Sequence, residues 1–352
     1  MNIGGRAIGP AHAPYIIAEI GVNHDGALQR ACALVRAASE AGADAVKFQY
    51  FTAGGLMSRS SRLAQYQAQA GERDPVAMLA RLELEAAALE ACIEAARDVG
   101  IHAIVSVFSV ELVEPARRLG WDAFKTASPD IINRPLLSAL AADPRPLIVS
   151  TGASTLDEVA RALGWLDHAK GRLAVLDCVS CYPAPDEAVD LAGMAALMPL
   201  APGRVGYSDH SPHVETGARF VRGGAVMLEK HLTYDRSAVG PDHAASLDPA
   251  QFAQYVRLAR EAWEPGAAPH GAADAVPGKK IVRECERDVR NVSRQSLVTL
   301  RALPAGHILT RADLTIKRPG TGVPPYELEP TIGRCLARAI AADTVIMPED
   351  LA

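Results

Sequence analysis

The chain has 352 residues, of which 49% are hydrophobic and 22% are charged, and its formal net charge at pH 7 is -5. This composition is ordinary for a globular enzyme, and the length exceeds that of one average domain. The negative charge argues against nonspecific nucleic-acid binding, which needs basic surfaces. The sequence shows neither the apolar run of roughly 18 residues that spans a membrane nor a secretion signal. We therefore expect a cytoplasmic protein with no membrane or nucleic-acid partner.

Eight strand-helix units follow one another along the first part of the chain. We predict strands at 15–23, 45–51, 101–108, 123–128, 147–152, 173–180, 204–210 and 226–233. The predicted helices are 28–42, one ending near 100, 110–119, 134–141, 156–170, 191–200, 214–222 and 249–263. Strands that alternate with long helices indicate right-handed crossovers and a parallel sheet. Eight such units over about 260 residues favour a closed (β/α)8 TIM barrel over an open sheet.

The composition changes after Trp263, where the chain becomes rich in proline, glycine and alanine. We predict a barrel domain at 1–265, a linker at 266–290 and a small, mostly β domain at 291–352. The last domain has short β runs separated by turns. About sixty residues are only marginally stable alone, so we expect this tail domain to dock on the barrel.

Two histidines stand at the ends of predicted strands seven and eight, in the segments 206–210 (GYSDH) and 229–233 (EKHLT). The C-terminal ends of barrel strands meet at one rim, where such folds build their active sites. Neutral imidazole is the commonest protein metal ligand, so His210 and His231 predict a divalent metal site with open positions for substrate and water. The alternative is that both are hydrogen-bonded rim histidines.

Three charged residues lie inside apolar strands. Lys47 and Lys125 each incur a desolvation cost unless an anion meets them. Phosphate binding is the functional interpretation, a salt bridge to Glu19 or Glu229 is the structural one, and a Schiff-base lysine is a third. Glu19 is either a general acid or base or only the partner that neutralises the lysines.

Weaker signals come from loops and from the tail. Asp242 follows strand eight and either contacts a metal-bound water or sugar hydroxyl or only forms a turn. Arg294 opens the tail and either reaches into a barrel mouth or is exposed. The basic turn at 317–322 holds a lone Gly-x-Gly, which is weak evidence for phosphate binding. Cys178 and Cys181 form a C-x-x-C without the second pair of a zinc site, so we interpret the six cysteines as incidental thiols.

Together these segments resemble the sialic acid synthase family, whose members condense phosphoenolpyruvate with an N-acylated amino sugar to give a nine-carbon 2-keto acid. The matching barrel segments are 17–26 (IAEIGVNHDG), 46–49 (VKFQ), 150–152 (STG), 178–183 (CVSCYP), 206–210, 229–231 and 240–243 (GPDH). The tail is similar to the family's antifreeze-like (SAF) domain at 296–298 (SLV), 308–310 (ILT) and 314–322 (LTIKRPGTG).

The resemblance implies roles for individual residues. His210 and His231 would bind a divalent ion, Mn²⁺ first, with Mg²⁺ or Co²⁺ as other choices, and Glu19 would be the acid-base carboxylate. The residues that would hold phosphoenolpyruvate are Lys47, Lys125, Ser128, Ser150 and Ser208. Those expected around the amino sugar are Gln49, Phe108, Tyr182 and Asp242. The resemblance also implies a homodimer in which the tail inserts an arginine, Arg294 or alternatively Arg290, into the partner's barrel.

The sequence departs from the family pattern on the sugar side of the mouth. Residues 106–109 (SVFS) replace the usual Thr-Pro-Phe-Asp, Asp177 replaces a histidine, and Pro129-Asp130 replaces Gly-Glu. Both N-acetylmannosamine and a diacetamido trideoxy hexose therefore remain open as the sugar. A Schiff-base aldolase and a noncatalytic sugar-binding barrel are the rival functions.

Overall fold

The computed structural model describes residues 1–267 and 280–352. Eight parallel strands form a closed barrel, in which each strand pairs with the next and the last pairs with the first. They are β1 (Tyr15–Glu19), β2 (Ala45–Tyr50), β3 (His102–Val107), β4 (Ala123–Thr126), β5 (Leu147–Ser150), β6 (Leu173–Cys178), β7 (Val205–Asp209) and β8 (Met227–His231). The predicted TIM barrel is confirmed. Several strands end earlier than predicted, because the polar residues after them form the loops at the barrel mouth.

The described helices surround the barrel and extend into the tail. Their bounds are Leu28–Glu40, Ala53–Leu56, Gln65–Gln69, Pro75–Leu82, Ala86–Asp98, Val113–Arg118, Arg134–Ala141, Leu156–Trp165, Ala192–Leu197, Thr216–Arg222, Pro249–Glu261, Arg287–Ser293 and Leu328–Thr331. Capping boxes at Thr155 and Asp248 satisfy free backbone amides where two of these helices begin. Within the described ranges, no helix is both long and apolar enough to cross a membrane.

The strands have different environments on their two faces, because successive side chains in a strand point to opposite sides. Outward residues such as Ile16, Val46 and Phe48 pack under the helices. Inward residues near the strand starts, such as Ile17 and Ile104, fill the lower barrel, and a hairpin formed by Asn2–Ile3 and Arg6–Ala7 adds Ile3 to that cluster. The apolar filling leaves the upper barrel for polar side chains.

The predicted small β domain is present in the tail. Strand β9 (Ser296–Thr299) pairs antiparallel with β10 (Leu314–Lys317). Its separate core consists of Leu297, Leu303, Leu309, Leu314, Ile316, Val323, Leu328, Leu336, Ile340 and Ile346. The tail docks on the barrel, as expected for so small a domain, through a bridge between Met57 and Arg318 and through Tyr326, whose ring lies 6.0 Å from that of Trp165.

Part of the predicted linker at 266–290 is packed against the barrel. Residues 268–279 of that prediction lie outside the described residues, but residues 280–294, here called the connecting segment, are packed against the barrel. Lys280 Nζ lies 2.7 Å from Asp177 Oδ1, and Arg283 lies 2.7 Å from Asp190. The segment is ordered because its charged residues have barrel partners, a property that its composition did not indicate.

Candidate functional site

A cavity opens at the C-terminal ends of the barrel strands. It is lined by nearly all the residues that the sequence predicts for the site, namely Glu19, Lys47, Gln49, Phe108, Lys125, Ser128, Ser150, Tyr182, Ser208, His210, His231 and Asp242. Arg294 does not line it. Residues separated by more than two hundred positions therefore form one polar pocket.

Strand register explains why these side chains meet. Across β8 and β1, His231 pairs with Glu19, and across β1 and β2, Glu19 pairs with Lys47. Across β7 and β8, Glu229 pairs with Ser208. Along each strand these inward residues alternate with residues that point out of the barrel. The inward polar side chains of neighbouring strands therefore lie at the same height inside the barrel.

The two buried lysines are paired with buried carboxylates. Lys47 contacts Glu19 directly and donates to Ser106 Oγ at 3.1 Å. Lys125 Nζ lies 3.3 Å from Glu229 Oε1. Burial lowers the pKa of Lys47, while the carboxylates of Glu229 and Asp242 oppose that effect. The salt bridges considered as the structural alternative are thus present, and they occur inside the cavity.

The charge on Glu229 follows from its surroundings. Burial alone would raise the pKa of Glu229, but Lys125 and Lys47 outweigh it and hold the pKa below its ordinary value. Ser208 Oγ donates to Glu229 Oε1 at 2.9 Å. Among the described residues, Glu229 Oε2 and Ser150 Oγ are buried without a hydrogen-bond partner. Buried polar atoms of this kind usually have partners, so these two are candidates for ligand contacts.

The two histidines are close together and adopt the neutral form that binds metals. Their ring centroids are 5.4 Å apart. His210 Nδ1 lies 2.7 Å from the carbonyl oxygen of Val179, so it donates there and leaves Nε2 as an acceptor. Burial lowers the pKa of both histidines, and for His231 the nearby His210 and Lys47 lower it further.

These features fit a divalent ion. Metal–nitrogen bonds of about 2.1 Å place a ring centroid roughly 3.3 Å from the ion, so two imidazole ligands about 90–110° apart at the ion would have centroids about 4.7–5.4 Å apart. In ranges 1–267 and 280–352, no group of three or more His, Cys, Asp or Glu residues has metal-binding geometry. The two imidazoles would therefore leave several coordination positions open for substrate oxygens and water.

Tyr182 and Asp242 complete this side of the cavity. The Tyr182 ring lies 4.1 Å from the His210 ring and 5.9 Å from the His231 ring. Asp242 Oδ2 lies 3.5 Å from His231 Nδ1, and burial raises the pKa of Asp242 to about 6 against opposing effects of His210 and Lys47. Asp242 therefore lies beside His231 in the cavity lining, where its carboxyl group can reach a bound ligand.

The outer wall of the cavity is apolar. It consists of Phe51, Leu56, Met78, Leu79 and Leu82, from the insertion between β2 and β3, together with Phe108. The Phe51 and Phe108 rings meet edge to face with centroids 5.9 Å apart. This wall can cover methyl or methylene groups of a bound molecule, because burial of apolar surface is favourable.

The arginine prediction requires a correction. Arg294 is 7% exposed and forms two hydrogen bonds with the Glu158 carboxylate, at 2.7 and 2.9 Å, and Arg290 binds the same group. These bonds draw Arg294 to the outer side of the barrel mouth. Arg318, from the tail, lines the cavity together with Val289 and Ser293 of the connecting segment, and its guanidinium carbon lies 6.0 Å from the Phe108 ring centroid. The sequence signal that pointed to Arg318 was its position directly after β10, in the basic turn at 317–322.

Both domains of the chain match known protein families. A sequence profile described as the NeuB family matches residues 34–267, and one described as the SAF domain matches residues 294–352. N,N'-diacetyllegionaminic acid synthase of Legionella pneumophila is 35% identical, over 96% of this chain and 94% of the relative. N-acetylneuraminate-9-phosphate synthase of Homo sapiens is 30% identical, over 98% of this chain and 94% of the relative.

The fold comparison gives the same result. The crystal structure of the spore coat polysaccharide biosynthesis protein spsE from Bacillus subtilis matches with a TM-score of 0.83 and 29% sequence identity, covering 100% of this chain and 99% of that chain. The resemblance noted in the sequence is therefore confirmed for both domains.

Proposed function

The chain belongs to the NeuB family, and we propose that it condenses phosphoenolpyruvate with an N-acylated amino sugar and water to give a nine-carbon 2-keto sugar acid and phosphate. The observation that supports this most directly is the juxtaposition of two lysines and two neutral histidines in one cavity. The lysines suit a phosphate and a carboxylate, and the histidines suit a cation beside the sugar aldehyde.

In this proposal Lys47 and Lys125 hold phosphoenolpyruvate while its methylene carbon attacks the sugar aldehyde. Positive character develops at C2, water adds there, and phosphate leaves by cleavage of its bond to C2. Glu19, in contact with Lys47, assists the proton transfer from that water. Holding both substrates in attack geometry can contribute roughly 7–11 kcal/mol to lowering the barrier.

We propose that His210 and His231 bind a divalent ion, Mn²⁺ in preference to Mg²⁺ or Co²⁺. Such an ion would supply Lewis-acid polarisation of the aldehyde oxygen. The carbonyl of Val179 fixes the His210 ring through Nδ1, as outer partners of metal ligands commonly do.

For the sugar, we propose a diacetamido trideoxy hexose in preference to N-acetylmannosamine. The apolar wall that includes Leu56, Met78 and Leu82 can pack against a deoxy methyl group and acetyl methyls. The relative from Legionella pneumophila is named for a diacetylated product, which supports the same choice. Incubating the enzyme with phosphoenolpyruvate and each sugar, with products identified by mass, tests the preference.

We further propose a homodimer whose subunits exchange their tails. Domain exchange recreates contacts between two chains that a single chain can make with itself. The contacts of Arg318 with the cavity and of Glu158 with Arg294 suit either arrangement, because they depend only on a tail meeting a barrel.

The central test is phosphate release from phosphoenolpyruvate, with and without sugar and Mn²⁺. We expect His231→Ala to lose activity and to lose Mn²⁺ binding measured by electron paramagnetic resonance, because one of two protein ligands is removed. His213→Ala is the matched control, since His213 is exposed and pairs with Asp186 at 2.7 Å. Full turnover by the metal-stripped enzyme would contradict the metal role.

Chemical trapping of an imine distinguishes the rival aldolase mechanism from the proposed condensation. A Schiff-base lysine forms an imine with a keto acid, which borohydride reduces to a stable adduct. We expect no adduct on Lys47 or Lys125, since each is engaged with a carboxylate. A stoichiometric adduct on either lysine would favour the aldolase.

A further inference from the structure

Glu286 is a buried carboxylate that lies outside the barrel strands, in the connecting segment. It is 2% exposed, although its neighbour Glu284 is exposed. One oxygen, Oε1, accepts hydrogen bonds from the backbone amides of Ala153 at 2.7 Å and Ser180 at 2.8 Å. The other oxygen accepts from the backbone amide of Arg283 at 2.9 Å. A single side chain from the connecting segment therefore binds two separate loops of the barrel mouth.

The first of these loops follows β5 and has an unusual backbone conformation. Ala153 has a φ of +50°, which a side chain other than glycine seldom adopts. Its amide is held by Glu286, and its carbonyl accepts from Arg290 at 2.5 Å and from Arg294 at 3.2 Å. Three residues of the connecting segment thus hold Ala153 from both sides. Ser150, which lines the cavity, is the last residue of β5 and lies three residues before Ala153.

The second loop follows β6 and leads to the histidines. Ser180, which lines the cavity, donates its amide to Glu286. Val179, directly before Ser180, accepts the hydrogen bond that orients His210. Tyr182, two residues after Ser180, packs on the His210 ring. A shift of Ser180 would therefore move both groups that set the orientation of His210.

We propose that Glu286 is a positioning residue, through which docking of the connecting segment fixes the two active-site loops after β5 and β6. The role in catalysis rests on the proposed function, while the role in holding the loops does not. The segment itself is anchored elsewhere by Lys280 with Asp177 and by Arg283 with Asp190. Glu286 therefore contacts the two loops directly, while these ion pairs attach the segment to the barrel at other points.

The main experiment uses Glu286→Ala in the full chain. We expect faster amide hydrogen exchange, measured by mass spectrometry, in peptides covering 150–156 and 178–184, with barrel strands unchanged. Removal of a partner that orients a metal ligand typically weakens metal binding about 10–100-fold, so we expect Mn²⁺ affinity to fall by about tenfold or more. We also expect kcat to fall more than KM, because misplaced groups reduce rate strongly.

Two further variants make the test specific. Glu286→Gln keeps a carbonyl oxygen that can accept both loop amides, so its exchange and Mn²⁺ affinity should return to within a few-fold of the parent. Glu284→Ala, two residues away and exposed, should leave exchange, metal affinity and kinetics unchanged. If Glu286→Ala fails to fold, the same measurements on Glu286→Gln and Glu286→Asp replace it, with the shorter aspartate expected to be the more affected.

The outcomes are distinguishable from failure of the proposed function. Local loosening of both loops with weakened Mn²⁺ binding supports the inference, even if the parent enzyme shows no turnover with the sugars tried. Unchanged exchange at both loops overturns it, as does general loosening of tail and barrel with Mn²⁺ affinity intact, which would mean that Glu286 only stabilises the fold.

Discussion

Tail exchange between subunits can be tested with pairs of differently tagged chains that are expressed together and purified as heterodimers. One chain carries Lys47→Met, which disables its barrel, and the other carries Arg318→Ala, which disables its tail. Loss of a charged donor from a catalytic cavity typically reduces kcat by about 10²–10³-fold, so each homodimer should be nearly inactive. If tails are exchanged, the intact barrel of the second chain receives Arg318 from the first.

The expected activity follows from counting sites. With exchanged tails, one of the two barrels in this heterodimer is complete, so it should show about half of the activity of the parent dimer. The reciprocal heterodimer joins an unmodified chain to a Lys47→Met, Arg318→Ala chain and should be almost inactive, because its one intact barrel receives the altered tail. If each tail serves its own barrel, the two results are reversed. That reversal, read from initial rates of phosphate release, would refute exchange.

Further predictions concern the lysines, acid stability and a buried ion pair. Lys47→Met and Lys125→Met should each lower kcat/KM for phosphoenolpyruvate by at least about 100-fold in initial-rate assays, and wild-type values would exclude the anion role. Burial lowers the pKa of His24 from 6.5 to about 4. As the pH falls, the His24 side chain is protonated in the unfolded chain before it is protonated in the folded protein. His24 should therefore lower the free energy of unfolding by up to about 3 kcal/mol between pH 6.5 and pH 4. In urea titrations, His24→Asn should reduce this dependence of the free energy of unfolding on pH. Lys230→Met should cost about 3–5 kcal/mol by leaving the Asp209 carboxylate unpaired, while Asp209→Asn with Lys230→Met should recover most of it in the same titrations.

The barrel and most of the cavity could be predicted because strand periodicity constrains them strongly. A lysine or glutamate inside an apolar strand, such as Lys47 or Glu19, must face either the barrel interior or a buried partner, and register placed both side by side. Histidines at the ends of adjacent strands, His210 and His231, had to meet at one rim. In these cases the position of a residue within its strand determines which distant residues it meets, because all parallel strands of a barrel end at the same rim.

The contribution of the tail could not be predicted in the same way. The sequence offered several arginines after Trp263, and their roles depend on how one domain docks on another. Arg294 is drawn aside by Glu158, a residue whose partner no local pattern identifies. Arg318 reaches the cavity because the bridge at Met57 holds the turn after β10 over the mouth. Docking geometry depends on side-chain complementarity between distant segments, which composition and spacing do not encode.

The segments that carry the histidines show how one strand pattern serves two purposes. Asp209 and Lys230 immediately precede His210 and His231, so they point to the opposite face, where both are fully buried and lie 3.0 Å apart. Their ion pair joins β7 to β8 at the level of the two rings. The distance between the two candidate metal ligands therefore depends on a charge pair behind them as well as on the cavity in front. A substitution at this pair should consequently alter Mn²⁺ binding even where the fold survives, because it removes the ion pair between the two strand ends that present the imidazoles.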